Sequence, residues 1–243
     1  MNLKKQIRKE ITIDHLNVAV YEQPEVMAYN ASDFVEKNIK EAINKSGFAN
    51  IILATGSSQF LFLEALRNKE IDWKKITVFH LDEYKDISPN HPASFRKYLK
   101  DRILSFVNPK KVYFLNGDAA DCEKEMRKYE QILINHPIDI ACIGIGENGH
   151  IAFNDPGEAD FNDSDLVKLV NLDEACRRQQ FTEGWFPSFD DVPRQALTLT
   201  IPAILNLSLI HISEPTRQAE ISYAGFWVEK KRGGGGGGGG GGG

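Results

Sequence analysis

The sequence predicts an α/β fold, a single domain built on a mostly parallel sheet covered by helices on both faces. Three observations point there. Strand-like and helix-like segments alternate up to about residue 200, the pattern of a sheet layered with helices. The strand-like segments are near-continuous apolar runs, NIILA (Asn50 to Ala54) and IDIACIGI (Ile138 to Ile145) among them, as parallel strands buried on both faces require. A length of 243 residues with 42% hydrophobic content accommodates one sizeable domain with a real core.

The elements follow in order. Asn17 to Tyr21 is a short β-branched strand. From Glu25 to Lys45, Val26, Met27, Phe34, Val35, Ile39 and Ile43 recur at helical spacing, and Gly47 supplies a stop. NIILA is a buried strand, Ser57 to Lys69 a helix, Ile76 to Leu81 a strand and Pro92 to Phe106 a helix. Val112 to Leu115 is a strand, Ala119 to Asn135 a helix, and IDIACIGI the most apolar strand. Gly146 to Asp163 is rich in Gly, Asn, Asp and Pro, hence a loop, and too long for a mere connection. Gln195 to Ile201 is one more strand.

Composition narrows the function. A net charge of −5 and a pI near 5.7 disfavour a nucleic-acid backbone or an anionic membrane as partner. No segment approaches a membrane span, and MNLKKQIRKE has no apolar core of a secretory signal. The three cysteines, Cys122, Cys142 and Cys176, are odd in number and far apart. They suggest neither a disulfide framework nor a zinc site, so a reducing cytoplasm is the expected compartment.

In an open parallel sheet, ligands bind beyond the carboxyl ends of the strands, and three polar clusters sit there. Thr55-Gly56-Ser57-Ser58 lies between a strand and a helix start, where a glycine, hydroxyls and free amides suit a phosphate. The simpler reading is a helix cap. Asp82-Glu83-Tyr84 follows ITVFHL; one of its carboxylates turned into the cleft would carry protons, although such a pair can also merely solvate a loop. Gly144 to Gly149 matches the dinucleotide pattern G-x-G-x-x-G, yet Asn154, Asp155, Pro156 and Gly157 break the helix that a dinucleotide site needs. These glycines, Gly149 included, instead let the loop cross close to a small ligand. His150 follows directly, with Asp155 five residues on, and a carboxylate partner fixes a histidine's tautomer. No metal-ligand spacing and no phosphate-binding loop of the G-x-x-x-x-G-K-[ST] type occurs.

Taken together and in order, these clusters resemble the glucosamine-6-phosphate deaminase (isomerase) family. The resemblance runs from about Val18 to Leu205 and is carried by LATGSSQ, FHLDEY, HPASF, LNGDA, GIGENGHIAFNDP and VPRQALTLTIPAIL. It implies a modified Rossmann-like fold and an enzyme of amino-sugar metabolism that converts glucosamine 6-phosphate and water to fructose 6-phosphate and ammonia. It also implies no metal and no organic cofactor, a small sugar phosphate as partner, and leaves room for a homo-oligomer. Asp82 matches the family's proton-shuttling carboxylate, His150 its ring-opening acid/base and Asp155 that histidine's acidic partner, while Asn148 stands where members carry Asp or Asn. Gly56, Ser57 and Ser58, with Thr55 beside them, match the phosphate turn. Glu83, Gly149 and Arg178 complete the expected substrate-binding set.

Some features depart from the family. Where many members carry an arginine shortly before a phenylalanine, this chain has Gln180, with Arg177 and Arg178 nearby. EGWFPSFDDVP (Glu183 to Pro193) resembles a subgroup. Rival readings are a 6-phosphogluconolactonase, which shares the fold, and a non-catalytic sugar-phosphate sensor. Tyr84 and Phe153-Asn154 disfavour the lactonase; retention of Asp82 and His150 disfavours the sensor.

From Leu207 the habits change. Eleven of the 20 glycines form one run, Gly233 to Gly243, and Leu207 to Arg232 has no coherent period. LSLIHISEPTR (Leu207 to Arg217) resembles a translated sequencing adapter. The expected division is a deaminase-like domain over 1–206, incomplete at its C-terminus, and a non-native, disordered tail over 207–243. A sheet edge would then stay unpaired and the family's phosphate-gripping basic residue would be missing, leaving this polypeptide unstable and essentially inactive.

Overall fold

The computed structural model describes residues 7–13, 16–146, 149–214 and 224–229. The chain opens with a hairpin, β1 (Ile7–Ile13) antiparallel to β2 (Leu16–Tyr21). Sequence reading missed β1 because it is solvated after Ile7, so no buried face writes a period into it. α1 (Pro24–Ser46) starts on a proline and buries Val26, Met27, Val35 and Ile39. Gly47 closes it at φ 81°, a left-handed geometry that favours glycine, with its amide donating to the Ile43 carbonyl. β3 (Ala49–Leu53) is wholly buried. A 3₁₀ turn over Ser57–Gln59 then leads into α2 (Phe60–Arg67).

β4 (Ile76–Phe79) is followed after two residues by β5 (Asp82–Tyr84). The helix expected over Pro92 to Phe106 is α3 (Phe95–Leu99), capped by Ser94, continued by a π-helical turn over Lys100–Leu104. Next come β6 (Lys111–Val112), α4 (Cys122–Asn135), capped by Asp121, and β7 (Ile140–Ile143). β8 (Val167–Asn171), α5 (Glu174–Thr182), β9 (Gln195–Leu199), α6 (Ile201–Leu205), β10 (Leu209–Glu214) and β11 (Ala224–Glu229) complete the order.

The main sheet runs β1-β2-β11-β10-β7-β3-β4-β6, and its five strands from β10 to β6 are parallel. The predicted α/β layering holds. Ile51, Leu53, Val78 and Cys142 face a core closed by α1, α2 and α3, while Ile52, Phe79, Ala141 and Ile143 face a second core toward α4 and α6. No helix among the described residues is long and apolar enough to cross a membrane.

Two expectations change. β9 does not join the parallel sheet; it is the middle strand of a separate antiparallel sheet, β5-β9-β8. Its unbroken apolar run arises because Leu197 and Leu199 pack into the second core while Ala196 packs into a third, with Tyr84, Phe153 and Phe186. Burial on both faces here comes from layering and not from parallel pairing. The stretch after Asn206, expected to be disordered with a sheet edge unpaired, supplies β10 in parallel register with β7, and β11 antiparallel to both β10 and β2. Leu209, Ile210 and Ile212 are buried there, a short apolar run sufficient to fill a strand position, so the flank of β7 is paired and the instability and inactivity expected from an open edge do not follow.

Candidate active site

β7, β3 and β4 are neighbours in the main sheet, so the segments leaving their carboxyl ends converge over the crevice where such sheets bind ligands. All three polar clusters lie on those segments.

After β3, Thr55, Gly56 and Ser58 are half-buried and Ser57 is exposed. Gly56 sits at φ 105° and ψ 163°, a backbone that side chains rarely adopt. Its carbonyl accepts the Gln59 amide at 3.1 Å and the Tyr98 hydroxyl at 2.6 Å, which pins the turn to α3. Neither the 3₁₀ turn nor α2 has a side-chain cap, so Ser57 and Ser58 are not the helix caps that the simpler reading supposed.

After β4, alternation along β5 separates two adjacent carboxylates. Asp82 is 7% exposed; burial first, and the neighbouring Glu83 charge second, hold its carboxyl well above the usual carboxylate range. Glu83, expected among the substrate-binding residues, points the other way. It is fully buried, taking Ser94 Oγ at 2.7 Å and the amides of Tyr84, Phe95 and Arg96 at 3.1 Å each. Arg96 Nε adds a charge-assisted bond at 3.1 Å, and the same guanidinium reaches Asp118 at 2.7 Å. These bonds occupy both Glu83 oxygens. Behind β5 the chain is braced at Gly117, where a Cβ would lie 1.9 Å from the Tyr84 carbonyl oxygen.

After β7 the loop turns tightly. The Gly149 amide donates to Gly146 O and the Gly146 amide to His150 O, both at 2.9 Å, with Gly149 at φ 87°. The His150 ring lies on Gly146: a Cβ there would come within 2.1 Å of Cε1 and 2.3 Å of Nε2. His150 Nδ1 is 3.2 Å from Asp155 Oδ1, and the Asp155 side chain is 2% exposed. Asn148 lies outside the described residues.

The two arginines near Gln180 both have protein partners. Arg177 is buried, donating to the carbonyls of Val192 and Phe189. Arg178, expected at the substrate, projects from α5 with two-thirds of its side chain exposed and pairs with Glu174, Nε at 2.8 Å. The i,i+4 spacing on one helix face explains that choice.

Further residues pack beside these segments, of which Tyr98 and Thr198 were not singled out in the sequence. Tyr84 donates its hydroxyl to Gln180 Oε1 at 2.9 Å, and the Tyr98 ring meets Trp185 of the EGWF segment at 6.4 Å between centroids. Thr198 of β9 accepts the Phe153 amide at 3.1 Å. Of these two, Thr198 left a signal, as a polar residue within the buried part of β9. Among the described residues, no three His, Cys, Asp or Glu side chains group as metal ligands would.

Comparison with known proteins matches residues 22–210 to the family described as glucosamine-6-phosphate isomerases/6-phosphogluconolactonase. A glucosamine-6-phosphate deaminase of Streptococcus equi subsp. equi is 35% identical over 173 residues, 71% of each chain. One from Bacillus cereus (strain B4264) is 32% identical over 190 residues, 78% of this chain and 69% of that one. A solved monomeric glucosamine-6-phosphate deaminase superposes with a TM-score of 0.69 at 32% identity over 78% of both chains. A 6-phosphogluconolactonase from Shewanella baltica OS155 shares the fold, with a TM-score of 0.62 at 19% identity over 79% of this chain and 78% of that one.

Proposed function

The chain belongs to the glucosamine-6-phosphate isomerase/6-phosphogluconolactonase family, and from that premise we propose that it is a glucosamine-6-phosphate deaminase. It converts glucosamine 6-phosphate and water to fructose 6-phosphate and ammonia. One observation carries the reading: a buried carboxyl of raised proton affinity, Asp82, and a carboxylate-paired histidine, His150, leave neighbouring regions of one sheet.

Each step finds a group of the right kind. The Thr55 to Ser58 turn takes the phosphate through its hydroxyls and backbone amides, which fixes the sugar for the later steps. His150, its Nδ1 held by Asp155, moves a proton between the anomeric hydroxyl and the ring oxygen, opening the ring. Ionised Asp82 then takes the proton from the second carbon and returns it to the first. A side chain that must carry a proton between two carbons benefits from the affinity that burial confers. Water adds to the resulting imine carbon and ammonia leaves, completing the balance. Gly149 lets the loop approach the sugar closely, and Asn148, matched to a family position that carries Asp or Asn, completes the proposed catalytic set. The sugar phosphate is the partner proposed, and the three unpaired cysteines are in keeping with a reducing cytoplasm.

The test is ammonia release from glucosamine 6-phosphate beside hydrolysis of 6-phosphogluconolactone. Ammonia release with negligible lactone hydrolysis is expected; the reverse pattern overturns the reading. A separate proposal concerns the chain after Asn206: the deaminase-like domain spans 1–206 and the sequence from Leu207 onward is adapter-derived, on the strength of the LSLIHISEPTR resemblance. Source DNA encoding Leu207 to Gly243 in the same gene would overturn it.

A further inference from the structure

β9 connects two parts of the site that otherwise come from different places in the chain. Thr198 is the register partner of Asp82 on one side and of Lys168 on the other. Residues directly opposite in an antiparallel sheet project from the same face, so Asp82, Thr198 and Lys168 form one row across β5, β9 and β8. The His150 loop is laid along that row. Thr198, fully buried, takes the Phe153 amide on Oγ1 at 3.1 Å and donates to the Leu199 carbonyl at 3.2 Å. The same carbonyl accepts Asn154 Nδ2 at 2.8 Å. Farther along, Lys168 Nζ holds the Glu158 carbonyl at 2.5 Å and Asp163 Oδ2 at 2.8 Å.

From this geometry we infer that Thr198 is a positioning residue: its hydroxyl sets where the His150–Asp155 pair stands relative to Asp82. The inference rests on the deaminase reading of that site. Asp82 is fixed to Thr198 by backbone pairing. The loop is fixed to the same residue by its hydroxyl, two positions before Asp155. Removing the hydroxyl leaves a buried Phe153 amide unsatisfied, which frees the loop to shift. Small displacements of catalytic groups cost large factors in rate, up to about 100-fold for 1 Å.

The experiment compares Thr198→Val, which keeps shape and loses the acceptor, with Thr198→Ser, which keeps the acceptor and loses a methyl. Deaminase kinetics and amide hydrogen exchange at Phe153 to Asp155 are measured on both and on the parent chain. Thr198→Val is expected to lower kcat by about 10- to 100-fold with KM changed less than about threefold, and to speed exchange in the loop. Thr198→Ser is expected to restore kcat to within a few-fold and to restore slow exchange. Equal kcat in Thr198→Val and the parent, or a Thr198→Ser variant as impaired as Thr198→Val, overturns the proposal. If Thr198→Val does not fold, Thr198→Ser against Thr198→Ala decides in the same way. Absence of ammonia release from the parent sinks the deaminase reading; the exchange comparison still decides whether Thr198 holds the loop.

Discussion

Two residues let the chemistry be tested atom by atom. Asp82→Asn keeps the side chain's shape and removes the proton carrier, so turnover should fall by at least ~100- to 10,000-fold, with substrate binding retained. The same change should alter stability with a defined sign. The raised proton affinity of Asp82 in the folded state means that its favourable contribution is complete at low pH. That contribution is lost as pH rises from about 4 through the folded-state value. The asparagine does not ionise, so the variant should become progressively more heat-stable than the parent above about pH 4. Paired melting curves across pH check this, and a constant difference would refute it. Gly146→Ala tests His150 without substituting it. The added Cβ falls inside the imidazole's present position, and the ring is a movable side chain. The expected result is a ~10- to 100-fold loss of kcat from misplaced catalytic geometry with a melting temperature close to the parent's.

Among the elements, β5 shows what local sequence can and cannot reveal. Its place at the end of a buried strand was legible, because apolar runs and the crevice rule located it. Which of its two carboxylates is taken up by neighbouring donors was not, because alternation fixes only that they diverge. The answer depends on Ser94 and Arg96, 11 and 13 residues away, whose donors collect on Glu83. Arg178, expected at the substrate, pairs with a helical neighbour four residues back, Glu174. The His150–Asp155 pairing was legible because both partners lie in one short loop. Glu83→Ala should leave buried Arg96 without its fully buried partner and destabilise the fold by about 3–5 kcal/mol. Chemical denaturation measures that cost, and a loss below 1 kcal/mol would show that Asp118 alone suffices for the guanidinium.

The parallel core of the molecule was readable from its apolar runs, whereas the second sheet was not, since nothing local distinguishes a strand buried by layering from one buried by pairing. β10 was missed because the stretch around it lacks a period. In the fold it separates β7 from β11. A chain ending at Asn206 would lose the burial of Leu209, Ile210 and Ile212, each worth about 1.5–3 kcal/mol, and would expose the flank of β7. Such a chain should be poorly soluble and lack a cooperative melt, which expression and calorimetry would show directly. The placement of Asp82 on the small sheet, against a main sheet that carries the Gly56 turn, has a thermal consequence. Cooperative units of a protein open at different free energies, and three short strands should open before eight. Warming should therefore extinguish activity several degrees before the main sheet melts, with amides of β5 and β9 exchanging early while those of β3 and β7 stay protected. The enzyme would then fail reversibly, its two layers parting like a clasp and closing again on cooling.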